Sequence, residues 1–213
     1  MKKKEIKNII FDFGDVIINL DKQATKRELN KLGLDEFDAE MHKINQLYER
    51  GKIDTIEFLC FYQTKIPKAT DDELIDAWNS IILDLPRYRM DFIKKLAKKY
   101  NLYLLSNINP LHLKHIRSML DDDLYVEFLY LFNEIFYSHL IEMRKPDEAP
   151  FKYVIKRTGI NPEETLFIDD TLENCETAKK MGFNTWHINP ETEDIINFRK
   201  IFLNDFFATL HFI

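Results

Sequence analysis

Short apolar segments that alternate with helical patterns constrain the fold of this chain more than any other feature of its sequence. Each segment is bounded by polar or turn residues, as is typical of strands that are covered on both faces. The segments span residues 7–11, 102–105, 165–168 and 185–188. Helical patterns accompany the last three strands, over residues 89–99, 149–157 and 172–181. Because strand–helix alternation implies right-handed crossovers, the sequence predicts an α/β fold with a parallel sheet.

A stretch without strand patterns separates the first strand from the rest of the chain. Its helical patterns cover residues 23–32, 37–49, 55–65 and 71–83. Their lengths and short loops favour a small antiparallel helical bundle, which we expect to form an inserted cap domain over residues 20–86. The α/β core domain then comprises residues 1–19 and 87–213. A cap inserted after the first strand would act as a lid over a site at the end of that strand.

Two further segments carry weaker patterns. Residues 121–141 are rich in Phe, Tyr and Leu, and we expect a helix there, followed by a short strand that ends near Tyr137 and Ser138. Residues 202–213 are unusually apolar, which favours a last helix or strand packed on the core over an exposed contact surface.

Composition excludes several classes of protein. The net charge of −6 comes from 30 basic and 36 acidic residues with no basic block, which argues against a nucleic-acid partner. No segment has the length of a membrane span, so we expect no membrane partner and a cytoplasmic location.

Cys60 and Cys175 lack the spacing of a metal site or a disulfide framework, and we expect both to be small buried residues. We expect a monomer or a weak homodimer.

Polar side chains follow the predicted strands in four places. In three of the four places, the polar residues directly follow the last residue of an apolar strand pattern. The residues concerned are Asp12, Ser106 with Asn107, Lys145, and Asp169 with Asp170. Because ligands bind at the carboxyl ends of the strands in open parallel sheets, we expect these groups to share one edge. Any one of them alone is more often a turn or capping residue, but their order along the chain favours a common site.

The chemistry of these residues indicates a metal-assisted phosphoryl site. Three carboxylates at one place repel one another unless a cation neutralises them. Mg²⁺ fits, since it prefers oxygen ligands and binds through one or two carboxylates together with a substrate phosphate. The ammonium group of Lys145 suits both a phosphate oxygen and the orientation of Asp12, while Ser106 can hold a further phosphoryl oxygen. Phosphoryl transfer requires mainly such positioning and charge neutralisation.

The same four segments match, in order, the four signature motifs of the haloacid dehalogenase-like (HAD) superfamily, and they extend over nearly the whole chain. They are residues 9–16 (IIFDFGDV), 104–107 (LLSN), 144–147 (RKPD) and 167–171 (FIDDT), the last followed by Asn174. The resemblance implies a Rossmann-like core, a three-layer parallel sheet, with a helical cap after the first motif. It also implies that Asp12 is a nucleophile that becomes an aspartyl phosphate.

The resemblance further implies a role for each remaining motif residue. Asp12, the backbone carbonyl of Gly14 and the carboxylate of Asp170 would bind Mg²⁺, and Asp169 would act through a metal-bound water. Ser106, Asn107 and Lys145 would hold the phosphoryl group of a small phosphorylated metabolite.

A closer likeness is to the branch that contains bacterial α-D-glucose-1-phosphate phosphatases. It rests on residues 106–112, on residues 143–146 and on the Asp-Phe-Gly loop, because that branch also has Gly at the position of Gly14. The cap stretch 48–53 is similar too. Arg50 in that stretch is a candidate substrate contact, and so is His112, which lies six residues after Ser106. Arg50 could instead merely cover the cap surface, and His112 could be an ordinary surface histidine. Trp78 is expected to be cap core rather than a sugar-stacking platform.

Gly14 stands where phosphatases of the superfamily usually carry a second Asp, the general acid and base. That help is typically worth about 10²–10⁴ in rate and matters most for poor leaving groups. We therefore expect substrates with better leaving groups, such as hexose 1-phosphates. Asp15 could serve as a surrogate acid, although a solvated turn residue is the simpler interpretation.

Two other functions remain open at this point. A haloacid dehalogenase would use Asp12 without a metal, but Asp169 and Asp170 would then have no task. A non-catalytic binding protein of the same fold is the other alternative, and the retained polar residues argue against it.

Overall fold

A computed structural model describes residues 5–198 of the chain. In this range a parallel five-stranded sheet has the order β3-β2-β1-β4-β5. The strands are β1 (Asn8–Phe11), β2 (Asn101–Ser106), β3 (Glu134–Tyr137), β4 (Thr165–Asp169) and β5 (Asn184–His187). All four predicted strands are present, and β3 ends where the weaker pattern predicted. The structure confirms the α/β prediction.

The helices follow the predicted patterns closely. They are α1 (Ala24–Lys31), α2 (Ala39–Glu49), α3 (Thr55–Lys65), α4 (Asp71–Asn79), α5 (Arg87–Ala97), α6 (Pro110–Met119), α7 (Asp122–Tyr130), α8 (Ser138–Ile141), α9 (Glu148–Thr158) and α10 (Leu172–Lys180). Only the pattern over residues 71–83 extends well beyond its helix. Helix α4 stops at Asn79 because Ile82 pairs with Leu20 in an antiparallel bridge, which draws the chain back to the core.

The sheet is buried on both faces, as a three-layer arrangement requires. Along β1, Ile9 and Phe11 belong to one apolar cluster, whereas Ile10 belongs to another on the opposite face. Helices α5 and α7 contribute to the first cluster, and helices α9 and α10 contribute to the second. This double coverage explains why the strands read as continuous apolar runs.

Helices α1 to α4 surround a further apolar cluster, to which Leu111 of α6 also contributes. Tyr48 stacks on Phe58 with ring centroids 4.1 Å apart, and Trp78 meets Phe58 edge-on. Trp78 is therefore a buried residue in the core of these helices, as predicted. Reciprocal side-chain caps at Asp54 and Thr70 begin helices α3 and α4, so their starting points are set locally.

Two sequence predictions about individual segments have different outcomes. Cys175 is buried as expected, but the prediction for Cys60 is wrong because Cys60 is exposed. Helix α3 is apolar around much of its circumference, and its buried residues are Phe58, Leu59 and Tyr62, which leaves Cys60 on the outer face.

The apolar segment 202–213 lies outside the described residues. Among the helices of residues 5–198, none combines the length and apolar character that spanning a bilayer requires.

Candidate active site

The register of the sheet brings the ends of three strands to one level. Phe11, the last residue of β1, pairs with Leu104 of β2 and with Ile168 of β4. The backbone N–H of Asp12 then donates to the carbonyl of Ile168 over 2.8 Å. Asp12 and Asp169 therefore leave the sheet side by side, at the carboxyl edge where the sequence predicted a site.

Lys145 joins these two carboxylates from a third segment. Its Nζ donates to Asp12 Oδ1 over 2.7 Å and to Asp169 Oδ2 over 2.6 Å, and its side chain is 1% exposed. Burial lowers the pKa of Lys145, but the attraction of Asp12 and Asp169 outweighs that effect and raises the pKa overall. Burial raises the pKa of Asp12 to about 7, in spite of the opposing effect of Lys145. Lys145 is thus a permanent cation that orients Asp12.

Asp169 is completely buried and its oxygens are fully engaged. Besides Lys145, it accepts hydrogen bonds from the backbone N–H of Thr171 and from the amide of Asn174, at 2.8 and 2.9 Å. Asn174 lies in the first turn of α10, so the helix that follows β4 closes back on the strand end. This arrangement fits a positioning role for Asp169 better than a direct metal contact.

The residues at the end of β2 hold the segment that carries Lys145. Asn107 Nδ2 donates to the backbone carbonyl of Lys145 over 2.8 Å, and Asn107 Oδ1 accepts from the backbone N–H of Lys145 over 2.9 Å. Ser106 is the last residue of β2 and is buried beside Asn107. The amide of Asn107 therefore sets the position of Lys145 through its backbone.

Three carboxylates lie close enough to hold one cation. Ligand oxygens of Asp12, Asp169 and Asp170 are within 4.8 Å of one another. Asp15 adds a fourth carboxylate, and the ammonium groups of Lys22 and Lys145 pair with this cluster. The four carboxyl groups outnumber the two ammonium groups, so acidic groups are in excess at this place. An all-oxygen cluster with that excess suits a hard divalent cation.

A small cavity of about 180 Å³ opens beside these groups. It is lined by Asp12, Gly14, Leu20, Lys22, Asn107, Lys145, Asp170, Thr171 and Asn174. Leu20 and Lys22 are not recognisable as cavity residues from the sequence, because both lie in the segment between β1 and α1 and neither directly follows a predicted strand. Lys22 Nζ is 2.5 Å from Asp170 Oδ2 and 3.0 Å from Asp15 Oδ2.

Leu20 packs against the position that lacks the second Asp. A Cβ at Gly14 would lie 2.7 Å from Leu20 Cδ1, so the leucine side chain occupies the space that a side chain at position 14 would need. Asp15, the alternative acid, has φ of 55° and accepts the backbone N–H of Leu20 over 3.0 Å. Its side chain is only 11% exposed and does not line the cavity, so the interpretation as a solvated residue is wrong.

The contact between positions 14 and 20 predicts an energetic coupling. In a double-mutant cycle of Gly14→Ala and Leu20→Ala, we expect about 1 kcal/mol of favourable coupling in the free energy of unfolding, since removing Leu20 makes room for the new methyl group. Urea unfolding of the four proteins measures it. Strictly additive effects would contradict the contact.

The loop after α2 docks on the segment that carries Lys145. Arg50 donates to Asp147 over 2.8 Å, and Arg144 donates to Glu49 over 2.9 Å. Gly51 adopts φ of 62°, and a Cβ there would lie 2.2 Å from the carbonyl oxygen of His139, so only glycine permits this approach. Arg50 is thus brought near the site segment, although it does not line the cavity.

His112 links α6 to α4. Its Nε2–H donates to the carbonyl of Trp78 over 3.0 Å, while Nδ1 accepts from Asn109 over 3.2 Å. Both ring nitrogens are therefore occupied within the protein, and His112 does not line the cavity. Burial lowers the pKa of His112 to about 4, which keeps the imidazole neutral.

The depressed pKa of His112 predicts a loss of stability in acid. Between about pH 6.5 and pH 4 the unfolded histidine takes up a proton that the folded one does not, so the free energy of unfolding falls as the pH falls. We expect this group to contribute at most about 3 kcal/mol across that range. Urea unfolding at several pH values should show a weaker pH dependence for His112→Gln. An identical dependence in both proteins would exclude the effect.

Comparisons with known proteins agree with this geometry. The family model described as "haloacid dehalogenase-like hydrolase" matches residues 6–182. A curated protein of Bacteroides thetaiotaomicron, named D-ribitol-5-phosphate phosphatase, is 33% identical over 85% of this chain and 91% of its own length.

Solved structures of an HAD-family enzyme from the same organism are also similar. Its magnesium complex is 34% identical, with a TM-score of 0.82 over 90% of this chain and 96% of that one. Its complex with magnesium and inorganic phosphate has a TM-score of 0.77 at 33% identity, over 89% and 96% of the two chains. These findings confirm the resemblance drawn from the four motifs. The chain belongs to the haloacid dehalogenase-like hydrolase family.

Proposed function

We propose that this protein is a Mg²⁺-dependent phosphatase that hydrolyses a small phosphorylated polyol or sugar through an aspartyl phosphate on Asp12. The observation that carries the proposal is the buried Lys145, which holds the Asp12 carboxylate at the edge of a cavity beside Asp169 and Asp170. A carboxylate oriented in this way is a nucleophile that can attack phosphorus in line.

The chemistry would proceed in two displacements. Asp12 Oδ forms a bond to phosphorus while the bond to the leaving oxygen breaks, and the alcohol departs. Water then attacks the phosphorus of the aspartyl phosphate, which releases inorganic phosphate and restores the carboxylate. When bound by Asp12, Asp170 and the carbonyl of Gly14, Mg²⁺ supplies positive charge for the phosphoryl oxygens.

The other residues of the site would position the reacting groups. Lys145 keeps Asp12 aligned and neutralises charge, and Asn107 keeps Lys145 in place through the two backbone contacts. Ser106 and Asn107 would hold phosphoryl oxygens. Asp169, with both oxygens already engaged, would orient Lys145 and act on the metal only through water.

The size of the cavity favours a small substrate, and so does the name of the similar protein from Bacteroides thetaiotaomicron. A volume of about 180 Å³ accommodates a phosphoryl group and only part of a small polyol. The relative that is named for D-ribitol 5-phosphate makes a pentitol phosphate the first substrate to try, and hexose 1-phosphates follow from the sequence. We propose that residues 20–86 form a separate cap domain, in which Arg50 contributes to substrate binding once its pair with Asp147 opens.

A panel of phosphate esters tests the proposal. Purified protein with Mg²⁺ is offered ribitol 5-phosphate, glucose 1-phosphate, glucose 6-phosphate, a nucleoside monophosphate and a 2-haloacid, with Asp12→Asn as the blank. We expect Mg²⁺-dependent phosphate release from the polyol or sugar esters, abolished by EDTA. Halide release without metal would identify a dehalogenase, and inactivity on the whole panel would indicate a binding protein.

The same panel tests the leaving-group hypothesis for Gly14. Faster hydrolysis of glucose 1-phosphate than of glucose 6-phosphate is expected, because an anomeric alcohol is the more acidic leaving group. Equal rates on the two esters would refute the restriction to better leaving groups.

A further inference from the structure

Lys22 places a second ammonium group in the active-site cavity. Its side chain is 54% exposed, whereas that of Lys145, the other lysine lining the cavity, is 1% exposed. Lys145 is held between two buried carboxylates. Lys22 pairs with Asp170 and Asp15 at the solvent-accessible side of the cavity, so of the two lysines it is the one that can exchange a carboxylate partner for a bound ligand.

The backbone at Lys22 is held by the pairing of two neighbouring chain segments. The two chain segments that join the core to helices α1 to α4 pair with each other. Asn19 N–H donates to the carbonyl of Asp84, and Asp21 N–H donates to the carbonyl of Ile81, both over 2.8 Å. Lys22 directly follows this short ladder, so its Cα is placed where the chain leaves the core.

The position of Lys22 relates it to the reacting carboxylate. Its Nζ is 2.5 Å from Asp170, and ligand oxygens of Asp170 and Asp12 lie within 4.8 Å of each other. Lys22 and Asp12 therefore both lie beside Asp170, and both line the same small cavity. A cation held by Asp170 would compete with Lys22 for that carboxylate and would leave the ammonium group available to another anion.

Position 14 offers no side chain to the leaving oxygen, and Leu20 fills the adjoining space. An alkyl leaving group nevertheless develops negative charge on its oxygen as the bond to phosphorus breaks. We propose that Lys22 stabilises the leaving oxygen by donating a hydrogen bond to it in the transition state. This inference rests on the proposed phosphatase function.

The step is balanced without a further reactant. The Asp12 oxygen bonds to phosphorus, the bond from phosphorus to the ester oxygen breaks, and its electron pair stays on that oxygen. A proton from water completes the alcohol, and the hydroxide equivalent is consumed when the aspartyl phosphate is hydrolysed. Lys22 contributes a charged hydrogen bond, which is stronger than a neutral one.

Two substrates with different leaving groups test the proposal. Ribitol 5-phosphate releases a primary alkoxide, which needs stabilisation, whereas p-nitrophenyl phosphate releases a stable phenolate. For Lys22→Gln we expect kcat to fall about 10²-fold with ribitol 5-phosphate and less than about threefold with p-nitrophenyl phosphate. Lys22→Arg keeps the charge and should recover most of the loss. Lys31→Gln, an exposed lysine of α1 paired with Glu28, is the matched control and should leave both rates unchanged.

The outcomes separate this inference from the function on which it rests. Equal losses of kcat on both substrates, no loss on either, or a change confined to KM or to the Mg²⁺ concentration for half-maximal rate would each overturn the role of Lys22. Wild-type protein that releases phosphate from neither substrate would instead overturn the phosphatase function. Unchanged unfolding temperatures in all variants establish that the comparison is between folded proteins.

Discussion

Asp12→Asn is expected to lower phosphate release by at least about 10⁴-fold while the protein stays folded, since an amide cannot attack phosphorus to form the covalent intermediate. The substitution keeps the shape of the side chain and its hydrogen bond to Lys145. Because burial already raises the pKa of Asp12, loss of its charge does not impose a large folding penalty.

Two measurements check the loss of the nucleophile. Steady-state phosphate release gives the fall in kcat, and mass spectrometry after a rapid acid quench shows whether a phosphoryl group is attached to the protein. Wild type should show the added group and Asp12→Asn should not. Asp91→Asn, an exposed carboxylate of α5, is the control. Substantial turnover by Asp12→Asn would assign the nucleophile to another residue.

Lys145→Met is expected to lose both activity and stability. Removing the ammonium group leaves Asp12 and the fully buried Asp169 without their shared counter-ion, and breaking a buried pair on one side typically costs about 3–5 kcal/mol. Turnover should fall as well, by about 10²–10³-fold, because Asp12 is no longer oriented or neutralised.

A second substitution distinguishes the two effects of Lys145. In Lys145→Met with Asp169→Asn, one of the stranded charges is removed, so the free energy of unfolding should recover by about 1–3 kcal/mol while kcat stays low. Urea unfolding and steady-state kinetics measure both quantities. If Lys145→Met were as stable as wild type, the ion pairs of Lys145 with Asp12 and Asp169 would not contribute to the free energy of unfolding.

Most strands and helices follow from local sequence patterns. Residues 166–168 are apolar on both faces because helices cover both sides of β4. Each reciprocal cap of α3 and α4 lies within four consecutive residues, so the start of each helix can be predicted from the sequence. The pattern over 71–83 overran α4 because the pairing of Ile82 with Leu20 is a long-range contact. Cys60 was misplaced because α3 is apolar on more than one face.

The sequence by itself determined the class of fold, the strand-end motifs and the residues Asp12, Lys145, Asp169 and Asp170, because parallel strands must bring their ends to one edge. Only the tertiary structure decided which side chains contact one another there. Leu20 and Lys22 line the cavity from the segment between β1 and α1, and Asp15 pairs with Lys22, whereas both ring nitrogens of His112 are hydrogen-bonded within the protein. These contacts depend on how the elements pack in three dimensions, and no periodicity in the sequence predicts them.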